Sequence, residues 1–360
     1  MSKGSEYMEW AKTRSQATYN LALSGVIAYP LAELGVEIAD LEITGDSLYG
    51  YAPLLEALAA KSRVTPDCVV HTIGTSMANH LAMATILERG DEVLIEHPAY
   101  DPLLSVPRYL GAEIRRFYRR FEDGFRIDID EIKRAITART KLIILTNFHN
   151  PSGVLTDNQT LRQVGEIARS VGARVLVDEV YLEAMYEQAQ DSAFHLGSEF
   201  IITSSLTKAY GLSGLRCGWI LAEPELARKM WRLNDLYGAV HSHPAELLSV
   251  IALSKLPEIS ARAKSLLQPN RQLLNDFLAS RSDIEAALTE YGTTSFPRLL
   301  TGSVAELCVL LRNKYDTSVV PGRFFEMENH FRIGICCEPE QFAAGLERLS
   351  AALDELSQQK

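Results

Sequence analysis

The run Lys141-Leu142-Ile143-Ile144-Leu145-Thr146 passes into Asn147-Phe148-His149-Asn150-Pro151-Ser152-Gly153, and Arg174-Val175-Leu176-Val177 passes into Asp178-Glu179-Val180-Tyr181. Each apolar run is short and ends on polar or turn residues, the pattern of a strand buried on both faces of a parallel sheet. Between them Thr156-Asp157-Asn158-Gln159 has capping-box spacing and predicts a helix start, and Gly172 predicts its stop. Strand, helix, strand is a βαβ unit whose polar residues lie at the carboxyl ends of both strands. In open α/β sheets that edge is where ligands bind. Asp178 is the costly residue, because a carboxylate closing a buried strand needs a partner. It either caps the next turn or faces a cationic nitrogen of a ligand.

Further along, Phe200 to Thr203 predicts another strand, followed by Ser204-Ser205-Leu206-Thr207-Lys208 and then Gly214-Leu215-Arg216-Cys217-Gly218. A lysine whose surroundings keep its amine neutral forms a Schiff base with a carbonyl cofactor. A serine donor and an arginine fork beside it suit a phosphate. On the amino-terminal side Cys68 to Ile73 predicts a strand, and Gly74-Thr75-Ser76 opens a helix toward Glu88 with Gly90 as its stop. Such a turn is equally an ordinary N-cap and an anion site. Glu92 to Glu96 predicts the next strand, which leads to His97-Pro98-Ala99-Tyr100.

Asn150-Pro151-x-Gly153, Asp178-x-x-Tyr181, Ser205-x-x-Lys208 and Arg216, in that order, resemble the fold-type I pyridoxal-phosphate enzymes. More narrowly the chain is similar to the class I/II aminotransferases (aspartate aminotransferase-like), from about Asn20 to about Leu349. The resemblance implies an α/β fold: a three-layer large domain with a mostly parallel sheet, residues 41–250, and a smaller α+β domain from residues 1–40 and 251–360. It implies that pyridoxal 5′-phosphate is carried by Lys208 as an internal aldimine, and that Asp178 pairs with the pyridinium nitrogen. Tyr181 and Asn150 match residues that hydrogen-bond the phenolic oxygen. Gly74, Thr75, Ser76, Ser205 and Arg216 match the phosphate site, and Tyr100 the aromatic stacked on the ring. Arg332, in a predicted strand from His330 to Ile335 after the landmark Val319-Val320-Pro321-Gly322, inherits the fork for the substrate carboxylate; Asn150 and Gly25, in Ser24-Gly25-Val26, line the substrate. Ser295 to Leu299 matches a small-domain strand.

The implied activity is ping-pong transfer of an amino group between an L-amino acid and a 2-keto acid, in a homodimer. The same residues in this fold also serve lyases and cyclases, and a pyridoxal-phosphate-binding regulatory domain is the remote alternative. Three features depart from the family. Phe148 stands where a proline is common. Gly45 stands where a tyrosine for the neighbouring subunit's phosphate is expected, with Tyr49 or Tyr51 as substitutes. No second arginine marks a dicarboxylic substrate.

Composition agrees with a globular enzyme. The 360 residues are 47% hydrophobic and 23% charged, enough for two domains around a large core. A net charge of −10 opposes general nucleic-acid binding. No signal peptide or membrane-length apolar run is read, and the odd count of five cysteines, Cys336 and Cys337 adjacent, fits a reducing cytoplasm. His241-Ser242-His243-Pro244 is read as surface or pocket-rim polarity without a third ligand, so no metal is expected.

Overall fold

The computed structural model describes residues 4–358, so the first three and last two residues of the expected small domain lie outside the described residues. Seven strands form the central sheet: β1 (Val69–Ile73), β2 (Glu92–His97), β3 (Glu113–Tyr118), β4 (Thr140–Thr146), β5 (Arg174–Asp178), β6 (Phe200–Ser205) and β7 (Cys217–Leu221). Their spatial order is β1-β7-β6-β5-β4-β2-β3, and β7 alone runs antiparallel to its neighbours. The core sits on both faces, which the side-chain alternation requires. Leu94, Ile143, Leu145, Val175, Val177 and Ile202 enter one cluster, while Val93, Ile95, Leu142, Ile144, Leu176 and Ile201 enter the other. Leu142 to Leu145 are fully buried, and each contributes roughly 1.5–3 kcal/mol by leaving water.

The helix after β4 spans Asn158–Ser170; Asp157 caps it by accepting from Thr160 N at 2.8 Å, and Gly172 ends it at φ +74°. The return half of a capping box is replaced by the Thr160 hydroxyl, which donates to Asp157 at 3.1 Å. The helix after β7 spans Pro224–Asn234, and beyond its end Tyr237 N and Gly238 N turn back onto Asn234 O. Beyond it run helices His243–Ser254 and Leu256–Ser280, then short strands and the terminal helix Pro339–Gln358.

Ser295 to Leu299 is not one strand. Thr294–Ser295 pairs with Phe331–Gly334, and Arg298–Leu299 pairs with Ile284–Glu285, split at Pro297, which cannot donate to a ladder. Phe331–Gly334, the strand of Arg332, is also paired with Val320–Pro321. Asn270 fastens its end by donating to Ile335 O at 2.9 Å and Cys337 O at 2.7 Å. Helix α1 (Glu6–Thr13), capped by Ser5, brings Tyr7 against Tyr100, Phe324 and Phe325. Among the described residues no helix is long and apolar enough to cross a membrane.

Candidate active site

The carboxyl ends of β4, β5 and β6 bring Asn150, Asp178, Tyr181 and Lys208 to one edge of the sheet. Asp178, 3% exposed, accepts from Asn79 Nδ2 at 2.8 Å and from Val180 N at 3.1 Å. Asn79 is itself oriented by the Thr203 hydroxyl, which donates to its Oδ1 at 2.6 Å. Burial pushes the Asp178 carboxyl up to about 6, against these donors and the Lys208 cation. The Val180 N bond is the turn cap, one of the two alternatives the sequence left open; a cationic nitrogen facing the carboxylate would add a partner for its buried charge.

Lys208 Nζ donates to Ser24 Oγ at 3.1 Å, and the Tyr181 hydroxyl donates to the same oxygen at 2.9 Å. Ser24 therefore joins lysine and tyrosine. Gly25 lies over the lysine stem: a Cβ there would sit 2.9 Å from Lys208 Cδ, and Val26 N donates to Lys208 O. Phe148 is buried with Val180, Tyr181, Leu182 and Met185, so its bulk packs beside Tyr181 within a core cluster.

The anion turn is built around Gly74 at φ +89°, the N-cap of helix α2 (Thr75–Ile86). A Cβ at Gly74 would run into the Arg216 guanidinium, and one at Gly218 into the Gly74 backbone. Arg216 donates to Ile73 O at 3.2 Å and Ser213 O at 3.1 Å, so its fork is held at the helix start. Ser205 is buried, and Ser76 is exposed on the first turn. Thr75 Oγ1 is buried without a hydrogen-bond partner, an orphan that a phosphate oxygen would satisfy. A glycine cradle, an orphan hydroxyl, a helix N-terminus and a guanidinium are the donor set for a phosphate. With the Lys208 amine and buried Asp178 beyond it, the residues fit pyridoxal phosphate.

Arg332 is 1% exposed; Nη1 donates to Asn150 Oδ1 at 2.8 Å, and Nη2 to the Tyr7 hydroxyl and Ala22 O, each at 3.1 Å. Its Nε is buried and unpartnered. Burial alone would raise the Tyr7 phenol, but the Arg332 and Lys208 cations hold it below its ordinary value. Arg332 on Ala22 O and Lys208 on Ser24 Oγ meet the same short segment, so the guanidinium and the amine lie near each other. Tyr100 lies beside Tyr7, their ring centroids 5.5 Å apart.

Asn150 is positioned from behind. Its N donates to Thr146 Oγ1 at 2.8 Å; Thr146 in turn donates from N and Oγ1 to Glu96 Oε1, both at 2.7 Å. Glu96 pairs with Arg119 at 2.9 Å, both side chains at 0% exposure, and Arg119 reaches Phe125 O and the Thr156 hydroxyl. Glu96→Ala strands a buried guanidinium and is expected to cost about 3–5 kcal/mol in a urea unfolding titration. Glu96→Gln, which retains an acceptor, is expected to lose less.

Asp178 also sets a pH signature. Its carboxyl is raised from 3.8 to about 6, so between those values the folded chain binds more protons than the unfolded one, and stability falls as pH rises. Neighbouring Glu179, raised to about 7 by burial, acts in the same direction. His241 and His330, each lowered to about 4 by burial, act in the opposite direction, so the carboxyl contribution is read as a difference. Between about pH 4 and 6 the stability–pH curves of the cofactor-free wild type and Asp178→Asn should diverge by about 3 kcal/mol in total, wild type falling relative to the variant as pH rises. A cofactor cation facing Asp178 favours its ionised form, so the gap between loaded and free protein should widen as pH rises through 6.

The sequence reading missed Tyr7, Asn79 and Arg119, named Glu96 only as a strand end, and named Ser24 only beside Gly25 in Ser24-Gly25-Val26. Asn79 carried a signal, since it stands one helical turn after Thr75. One reading is corrected. His243 is 8% exposed and His241 half-buried, and neither is a surface residue: they gather with His71 and Glu246. The His243 ring stands where a Cβ at Gly45 would lie, so a side chain there requires that ring to move. Of the two proposed substitutes, Tyr49 packs on Trp231, and Tyr51 stands edge-on to His243.

Residues 42–349 match the model of the family "Aminotransferase class I and II", and the chain belongs to that family. Capreomycidine synthase of Streptomyces vinaceus is 29% identical over 359 residues, covering 96% of this chain and 92% of the relative. A pyridoxal-phosphate-dependent aminotransferase structure from Streptococcus suis superposes with a TM-score of 0.91 at 27% identity, covering 97% of both chains. The pyridoxal-phosphate-dependent cyclase OrfR superposes with a TM-score of 0.88 at 26% identity, covering 99% of this chain and 98% of its own. The expected α/β fold and the cofactor, pyridoxal 5′-phosphate, stand.

Proposed function

We propose that this chain is an aminotransferase acting on free L-amino acids, with the buried Arg332 guanidinium on Ala22 O and the Lys208 amine on Ser24 Oγ, two residues further along the same segment, as the observation that carries the reading. Bound pyridoxal phosphate supplies an electron sink for the electrons of a bond broken at the substrate's α-carbon. Arg332 holds the α-carboxylate through its guanidinium fork, and Asn150, tied to Arg332 and to Thr146, fixes the direction of that fork. Lys208 Nζ, steered by Ser24 Oγ, takes the α-proton as general base and gives it back in the same active site. Tyr181, sharing Ser24 with the lysine, and Tyr100 line the cofactor's seat; Gly74, Thr75, Ser76, Ser205 and Arg216 hold its phosphate, Asp178 its ring nitrogen, and Gly25 admits the substrate over Lys208.

A cyclase is the second reading, favoured by the end-to-end likeness to capreomycidine synthase and OrfR. Removal of the α-proton by Lys208 is common to both; the fate of the amine differs. The loaded enzyme is incubated with pooled L-amino acids and 2-oxoglutarate, and products are read by mass spectrometry. Conversion of an amino acid to its keto acid with matching glutamate supports transamination. A product that keeps its amine and gains a ring moves the assignment to the cyclase, and no turnover of either kind overturns both.

The same reading takes residues 41–250 as the large lobe and the remainder as the small one, in a cytoplasmic homodimer. Free thiols at all five cysteines support the reducing compartment. Exposed Ile38, Ile43, Leu48, Leu236, Tyr237 and Val240 support the dimer: Tyr49 bonds Asp235 at 3.2 Å, so the two segments adjoin. Ile43→Glu with Leu48→Glu is expected to yield monomers by analytical ultracentrifugation; an unchanged sedimentation coefficient would remove this face from the interface.

A further inference from the structure

On β1, the strand that leads into the Gly74 turn, and on two elements beside it, three metal-ligating side chains converge. His71 lies on β1, Glu246 on helix His243–Ser254, and His241 on the loop just before that helix. His71 Nδ1 is 2.8 Å from His241 Nδ1 and 3.3 Å from Glu246 Oε1. One nitrogen thus faces two acceptors with a single proton to share, while His71 Nε2 and Glu246 Oε2 are buried with no hydrogen-bond partner. Nothing in the catalytic argument uses any of the three. Burying an anionic carboxylate at 0% exposure beside imidazoles is costly unless a cation or proton joins them.

We propose that His71, His241 and Glu246 bind one divalent transition-metal ion of the zinc class. Two imidazole nitrogens and one carboxylate oxygen, with a fourth position left for water or a further donor, are a zinc-type set. Bonds of about 2.0–2.1 Å around a tetrahedral ion put its ligands about 3.3 Å apart. The Glu246–His71 separation of 3.3 Å already meets that edge, and the two imidazoles reach it by parting slightly from 2.8 Å. His241 can make that shift, since its loop is only half-buried. The surroundings orient the set as outer groups do in metal sites. Tyr51 N donates to Glu246 Oε1 at 3.3 Å, and His243 Nδ1, held by Ser47 Oγ at 3.0 Å, lies 3.8 Å from Glu246 Oε2. His243 is the nearest candidate for the fourth donor. The ion would tie the loop to β1, two residues before the strand end that leads into the Gly74 turn, and so brace the phosphate cradle.

The test titrates Zn²⁺ into the chelator-stripped, cofactor-loaded protein against a chromophoric competitor, for wild type, His241→Ala and Glu246→Gln. One equivalent per chain is expected in wild type, at least tenfold weaker in each variant, with Zn²⁺ raising the melting temperature of wild type alone. Co²⁺ supplies a second readout that does not depend on variant folding. A tetrahedral visible spectrum without a thiolate charge-transfer band supports the His/His/Glu set; a thiolate band would put the ion on cysteine and overturn the proposal. Equal zinc affinity in wild type and both variants, or no bound equivalent, would overturn it as well.

Discussion

Lys208→Ala is expected to lower turnover by roughly 10⁴-fold or more while leaving the fold intact. The magnitude follows from two losses at one atom. On the proposed function, Nζ both holds the cofactor covalently and serves as the base for the substrate α-proton. The fold survives because Nζ makes a single hydrogen bond, to Ser24 Oγ, at a partly buried position. Its removal opens no core cavity, unlike deletion of Ile143 or Val177, both fully buried. Circular dichroism and melting temperature should match wild type. Steady-state turnover within tenfold of wild type would remove Lys208 from the chemistry.

Arg332→Leu is expected to reduce kcat/KM by about 10³-fold, the loss of two charge-assisted hydrogen bonds worth roughly 1.5–3 kcal/mol each. Most of that should appear in KM, because the carboxylate is gripped in ground state and transition state alike. Arg332→Lys retains the charge without the fork and should recover only part of the affinity. The variant also releases Asn150 Oδ1 and the Tyr7 hydroxyl, so a smaller fall in kcat accompanies the rise in KM. An unchanged KM for every substrate would place carboxylate recognition elsewhere.

The skeleton of the site was legible because parallel strands buried on both faces are written as continuous apolar runs, and their carboxyl ends are written as abrupt polar switches. Asp178 after Val177, Asn150 after Thr146 and Lys208 after Ser205 are all of that kind. What stayed hidden was assembled across distance. Tyr7 reaches Arg332 across 325 positions and Lys208 reaches Ser24 across 184, and no local pattern marks either contact. Glu96 lies on β2 and Arg119 just after β3, where each alone reads as surface charge at a strand end; only their pairing makes burial tolerable. The histidines of 241 and 243 were misread for the same reason, since their partner His71 lies 170 residues before His241 on an edge strand. Gly45 is the converse case: a residue the family pattern leaves unexplained becomes clear once the His243 ring is found against it.

The claim on which the rest depends is that Lys208 is the lysine that carries the cofactor. Borohydride reduction of the pyridoxal-phosphate-loaded protein, followed by proteolysis and peptide mass spectrometry, tests it directly. One phosphopyridoxyl group per chain on the peptide containing Lys208, absent from Lys208→Ala, is the result expected. Label on another lysine, or none on any, would contradict the account.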